Sequence, residues 1–263
     1  VRILVTNDDG IAAPGILALW RAVRDLGDVT VVAPDSERSA VGHAITLAEP
    51  LRVSDYAGPE GLTGHAVSGT PADCVKIATR AILSAPPDLV LSGINQGSNL
   101  GTNVLYSGTV SAATEAAMLG VPAAAFSLAD RHFSDFTAAA ACARRIAIEI
   151  GRRGLPRGVS LNVNVPPLPP EGIRGTAVTR QGRMRVLEWF DRRNDPRGRH
   201  YYWMVGEKLE DEAAPGSGVD DAAVAAGFIS VTPINFDLTD EGAIAALASW
   251  ELDPGTFCNG QGQ

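Results

Sequence analysis

The chain has 263 residues, 45% hydrophobic and 20% charged, enough to bury the core of one large domain with an extension and too apolar for a disordered chain. Its formal net charge of −8 at pH 7 excludes a general binder of DNA or RNA backbones, which needs a basic face, but leaves room for a small phosphorylated substrate. No apolar run approaches the ~20 residues that cross a bilayer, and the first residues read as a strand rather than a charged leader, so a cytoplasmic protein with no membrane attachment is expected.

Ile3-Leu4-Val5 is apolar without alternation, the pattern of a strand covered on both faces in a parallel sheet, and it runs into Asn7-Asp8-Asp9-Gly10. Ligands of such sheets bind beyond the carboxyl ends of the strands. Two adjacent carboxylates there repel each other and lose solvation, and a hard divalent cation is the usual compensation. One Asp capping the next helix beside a solvated neighbour is the alternative. Pro14 suits a first helical turn, and Ile16, Leu19, Trp20, Val23 and Leu26 recur at helical spacing up to Gly27. Val29 to Pro34 is a second buried strand, which delivers Asp35 to Ser39 to the same edge as Asp8. From Gly42 to Leu62 the chain reads as irregular, with Ile45-Thr46-Leu47 and Leu51-Arg52-Val53 as short strands.

Thr70-Pro71-Ala72-Asp73 predicts a capped helix start, with Cys74, Ala78, Ala81 and Ile82 on its buried face. Cys74 has no basic neighbour and reads as core rather than nucleophile. Together with Cys142 and Cys258 it is too scattered for a zinc site, and the odd count argues against a disulfide framework. Asp88 to Ser92 is a third strand opening into the glycine- and asparagine-rich loop from Gly93 to Gly101, which permits close backbone approach to a ligand. A helix then runs from Thr109 to Leu119. Ser107-Gly108-Thr109 at its start can hold a phosphate, and it reads equally as an ordinary N-cap. Val121 to Ser127, Asp135 to Arg153 and Val159 to Val165 give a strand, a long helix and a strand, which ends the core near Pro170.

Beyond Pro170, Thr176 to Gln181 and His200 to Val205 predict strands flanking a polar, Arg-rich span from Arg183 to Arg199. Phe228 to Pro233 is a returning strand, and a last short helix begins at Thr239-Asp240-Glu241. The expected fold is therefore α/β, a Rossmann-like three-layer, mostly parallel sheet with a β-rich C-terminal arm for oligomerisation. Its divisions are a catalytic core over 1–170, a protruding hairpin arm with its return strand over 171–235, and a C-terminal helix and frayed tail over 236–263. Trp189, Tyr201, Tyr202 and Trp203 in the arm suit packing between subunits or stacking on a base.

The carboxyl ends of the first three strands together supply Asp8, Asp9, Ser39 and Asn95. This all-oxygen set suits magnesium, manganese or calcium, and the dispersed His43, His65, His132 and His200 speak against zinc. A metal beside a helix N-terminus fits phosphoryl chemistry.

These segments resemble the survival protein E family of metal-dependent 5′/3′-nucleotidases. The resemblance is carried by residues 3–11, Ala33-Pro34-Asp35 with Arg38-Ser39, residues 69–75, residues 92–101 and Tyr106 to Val110. Asn162 to Pro166, Thr179 to Gly182, and Ser230 to Pro233 with Asp237 to Thr239 extend it. It implies one divalent ion, Mg²⁺ or Mn²⁺, on Asp8, Asp9, Ser39 and Asn95, with Asp8 and Asp9 catalytic. Asn99, Ser107, Gly108 and Thr109 would orient the phosphate of a nucleoside monophosphate. A homodimer or homotetramer joined through the C-terminal arm is also implied. The chain departs from the family pattern at Ala40, usually Gly, and Asn103, often Asp. A covalent aspartyl-phosphatase lacks support because its Asp-x-Asp spacing is absent. A receiver module would need an Asp at the end of its third strand. A catalytically silent nucleotide-binding protein is a further alternative.

Overall fold

The computed structural model describes residues 1–210 and 213–250; Cys258 and the expected frayed end lie outside them. β1 (Arg2–Thr6) illustrates how the sequence builds the layers. Ile3 and Val5 enter one buried cluster with Ile16, Leu19 and Ala139, while Leu4 enters a second with Cys74, Val110 and Ala113. A strand without polar alternation is thus buried on both faces. α1 (Pro14–Val23) packs with α4 (Thr137–Arg153) over the first cluster, and α2 (Pro71–Ile77) packs with α3 (Gly108–Met118) over the second.

The sheet between them has nine strands. In spatial order they are β3 (Val53–Ala57), β4 (Thr63–Val67), β2 (Asp28–Pro34), β1, β5 (Leu89–Gln96), β6 (Ala123–Leu128), β7 (Val159–Val165), β11 (Ile229–Asn235) and β8 (Thr176–Val178). From β4 to β7 all neighbours are parallel; β3 is antiparallel to β4, and β11 is antiparallel to β7. β9 (Arg185–Asn194) and β10 (His200–Glu210) form a separate antiparallel ribbon. Two short helices complete the described chain, α5 (Asp220–Ala225) and α6 (Glu241–Leu247), the latter beginning where its sequence predicts and capped by Asp240.

Four details differ from the sequence reading. Ile45 to Leu47 forms no strand, and the expected strand ending at Val53 instead begins there. β3 is an edge strand whose residues are mostly exposed, so it carries no apolar run to mark it. Ala81 is exposed and Ile82 half-buried, because beyond Ile77 the helix widens into a π-helical turn that rotates later side chains off the buried face. The Arg-rich span read as a connection between strands is itself strand β9, whose charged side chains conceal the period of a ribbon open to solvent. Residues 229–235 pair with β7 and residues 176–178 pair with β11, at the edge of the main sheet.

Candidate functional site

Strand order reverses at β1: the chain goes first to β2 and β4 on one side, then crosses to β5 on the other. Such a switch point opens a crevice at the carboxyl edge. The loop leaving β1 is tied down there. Asn7 Nδ2 donates to the Gly10 carbonyl at 2.8 Å, and the Ile11 N–H donates to the Pro34 carbonyl at 2.8 Å. Gly10 has φ +96°, a left-handed conformation that suits glycine. The Arg38 N–H donates to the Asp8 carbonyl at 2.7 Å, fastening the loop after β2 against the acidic pair.

α3 begins against the same pair. Ser107 caps it, its Oγ accepting from the Val110 N–H at 3.1 Å. A Cβ added at Gly108 would lie 2.8 Å from Asp8 Cβ and 3.0 Å from Asp8 Oδ2, so the helix start approaches Asp8 as closely as only glycine permits. Thr109 is fully buried and donates its hydroxyl to Asp8 Oδ1. The sequence assigned Thr109 to phosphate; its hydroxyl is engaged in aiming the carboxylate, and the Ser107 oxygen is engaged in capping.

Asp8 is 5% exposed. Burial pushes its carboxyl above the ordinary value, against the lowering influence of the Thr109 hydroxyl and N–H. Asp9 is pushed up to about 6, chiefly by burial and then by the Asp8 charge; the Gln96 N–H and the more distant Arg131 pull the other way. Glu37 adds repulsion at both aspartates.

Asn95, at the end of β5, donates its Nδ2 to the Gly97 carbonyl at 2.8 Å, so its other polar atom, the carboxamide oxygen, is the one that could meet a cation. Ser39 is exposed, and its hydroxyl donates to Glu37 Oε1 at 2.5 Å. Its link to Asp8 is the Arg38 N–H beside it. Ala40 has φ +56°, in the left-handed region, which gives a physical reason for glycine at that position in the family pattern. Asn99 is 7% exposed, with its Nδ2 donating to Ser127 Oγ at 2.8 Å.

Several supporting residues were given no role by sequence reasoning. The Asn164 carboxamide accepts from the Asn99 N–H at 2.8 Å, and Asn162 and Asn164 both donate to the Asn99 carbonyl at 2.8 and 3.1 Å. Two asparagines alternating with valines along β7 were the available signal. Asp220, fully buried, accepts from the Gly101 N–H at 3.1 Å and the Gly182 N–H at 2.8 Å. It bridges the glycine-rich loop to the segment entering the ribbon. A separate cavity of about 610 Å³ between α1 and α4, lined by Leu17, Phe136 and Ala140, also takes in Gln96 at the end of β5.

The donor set fits a hard divalent cation. The pair is desolvated and its hydrogen-bond donors Thr109 and Gln96 are neutral, and the Arg131 charge leaves the Asp9 carboxyl still raised. Two carboxylates, a hydroxyl and a carboxamide oxygen are hard ligands. Among the described residues no group of three or more His, Cys, Asp or Glu side chains is placed to hold a metal.

Fold and site define a class: an open, mostly parallel α/β protein with an acidic pair, Asp8 buried and Asp9 half-buried, and a helix N-terminus at its switch point. A family model described as Survival protein SurE matches residues 3–188. Among curated proteins, the chain is 54% identical to 5′-nucleotidase SurE of Heliobacterium modesticaldum, over 95% of this chain and 92% of that one. It is 52% identical to 5′-nucleotidase SurE of Syntrophobacter fumaroxidans, over 96% and 100%. The crystal structure of the Sure protein from Aquifex aeolicus superposes with a TM-score of 0.81 at 42% identity, covering 94% of this chain and 98% of that one. The chain belongs to the survival protein SurE family.

Proposed function

We propose that the chain is a divalent-metal-dependent phosphomonoesterase that hydrolyses nucleoside 5′-monophosphates, and 3′-monophosphates as well, to nucleoside and phosphate. The observation that carries this reading is the contact between Asp8 and the N-terminus of α3, where Thr109 grips the carboxylate and Gly108 leaves no room between them. An acidic pair that calls for a cation beside backbone N–H groups that favour an anion is the pairing a metal-assisted phosphatase requires. The names of the relatives, 5′-nucleotidase SurE, support the same activity.

One Mg²⁺ or Mn²⁺ would be held by Asp8, Asp9, Ser39 and Asn95. When bound, it polarises the phosphoryl oxygen and makes water a better nucleophile. The chain does the rest. Ser107, Gly108, Thr109 and Asn99 frame the phosphate, with the Gly108 N–H at the start of α3 meeting its oxygens. Water attacks phosphorus, the ester P–O bond breaks, and Asp9 takes the proton of the attacking water, while the leaving alkoxide is protonated from solvent.

The described chain holds no helix long and apolar enough to cross a membrane; placement in the cytoplasm belongs to this proposal. So does the division into a catalytic core (1–170), an arm with its return strand (171–235) and a C-terminal helix and tail (236–263). Self-association through the ribbon is supported by Trp189, Phe190, Tyr202 and Trp203, each more than half exposed. Asp8→Asn tests the function: it should abolish metal-dependent phosphate release and leave the circular dichroism spectrum unchanged.

A further inference from the structure

Ser39 has no side-chain anchor beyond its neighbour Glu37, yet the proposed function assigns it to the metal. Its position depends on what holds the loop around it. Before it, the Arg38 N–H is bonded to the Asp8 carbonyl; after it, the Gly42 N–H donates to the Tyr106 carbonyl at 3.0 Å. Between these two ties Ala40 takes up its left-handed conformation, which a side chain disfavours. A loop strained beside an exposed ligand needs a further fastening.

That fastening is a buried carboxylate outside the acidic pair. Glu115 lies further along α3 and is 2% exposed. His43 Nε2 meets its Oε2 at 2.9 Å, and Lys76 Nζ, from α2, donates to its Oε1 at 2.6 Å. Burial alone would raise its carboxyl; the hydrogen bonds from His43 and Lys76 outweigh it and hold Glu115 below the ordinary carboxylate range. Lys76 keeps the buried charge compensated, so the His43 contact is free to act as a hydrogen-bonded latch on the loop. Further anchors follow in the same direction: Thr70 Oγ1 donates to the Ala44 carbonyl at 2.7 Å, and Thr46 Oγ1 donates to Asp73 at 2.6 Å. None of these groups has a part in the proposed chemistry.

We infer that His43 is a positioning residue, latched by Glu115, which holds residues 36–47 so that Ser39 stays within reach of the metal. This inference rests on the reading of Ser39 as a metal ligand. Because His43 is exposed, it can be replaced without opening the core.

The test compares metal-free parent protein with His43→Ala and His43→Gln, reading Mn²⁺ affinity by calorimetry and hydrogen exchange of residues 36–47 by mass spectrometry. His43→Ala is expected to weaken Mn²⁺ binding at least about tenfold, in the range of residues that orient metal ligands, and to speed exchange across 36–47. His43→Gln, which retains a donor toward Glu115, should recover most of both. A purely structural role would change stability without this rescue of metal affinity. Parent-like Mn²⁺ affinity in His43→Ala overturns the latch, whether or not exchange speeds up, and leaves the nucleotidase reading intact. A parent that binds no Mn²⁺ overturns both.

Discussion

Asp8 is the residue on which the rest of the site converges, and its neighbours leave it little freedom. A methyl group at residue 108 would sit 2.8 Å from Asp8 Cβ, inside contact distance. Gly108→Ala should therefore displace the carboxylate and lower kcat/KM about 100-fold, the scale of a misplacement near 1 Å; circular dichroism should remain that of the parent. Asp9 makes a prediction for stability. Its carboxyl lies at about 6 against an ordinary 3.8, so the folded state binds that proton more tightly than the unfolded chain does. The resulting stabilisation is present below the ordinary value and is lost as pH rises through the folded one. Metal-free Asp9→Asn should accordingly melt higher than the parent at about pH 7.5, with the gap closing toward about pH 4. Parent melting at or above the variant at the higher pH would contradict the assignment of a desolvated, repelled carboxyl.

At the scale of elements, the sequence disclosed those features that follow from local rules. β1 was legible because an uninterrupted apolar run ends in carboxylates, and the α2 capping box of Thr70 and Asp73 formed as its spacing predicts. Asn95 and Ser39 were placed at one edge by the parallel-sheet rule alone. What sequence reasoning could not reach were contacts between distant segments: Thr109 and Asp8 are 101 residues apart, and Asp220 and Gly101 are 119 apart. The ribbon strand β9 was hidden because neither of its faces is covered, so no hydrophobic alternation records it. Asp220 has its own test. Asp220→Ala leaves the Gly101 and Gly182 N–H groups without their acceptor and should cost about 1–3 kcal/mol of stability. Thermal unfolding and faster amide exchange at residues 99–104 would register it; unchanged exchange there would remove Asp220 as the buttress of the glycine-rich loop.

For the molecule as a whole, the sheet acts as a platform whose carboxyl edge gathers loops from β1, β2 and β5 and the start of α3, while the ribbon stands apart with exposed aromatics. Light scattering at micromolar concentration should give a dimer or tetramer, and a monomer would refute self-association through the ribbon. The central claim is metal-dependent hydrolysis of a phosphomonoester, and one assay addresses it directly. Phosphate release is followed across nucleoside 5′- and 3′-monophosphates with Mg²⁺, Mn²⁺ or EDTA, in the parent and in Asp8→Asn. The account predicts release by the parent with either ion, none in EDTA, and none by the folded variant. Full release in EDTA, or by Asp8→Asn, would contradict it.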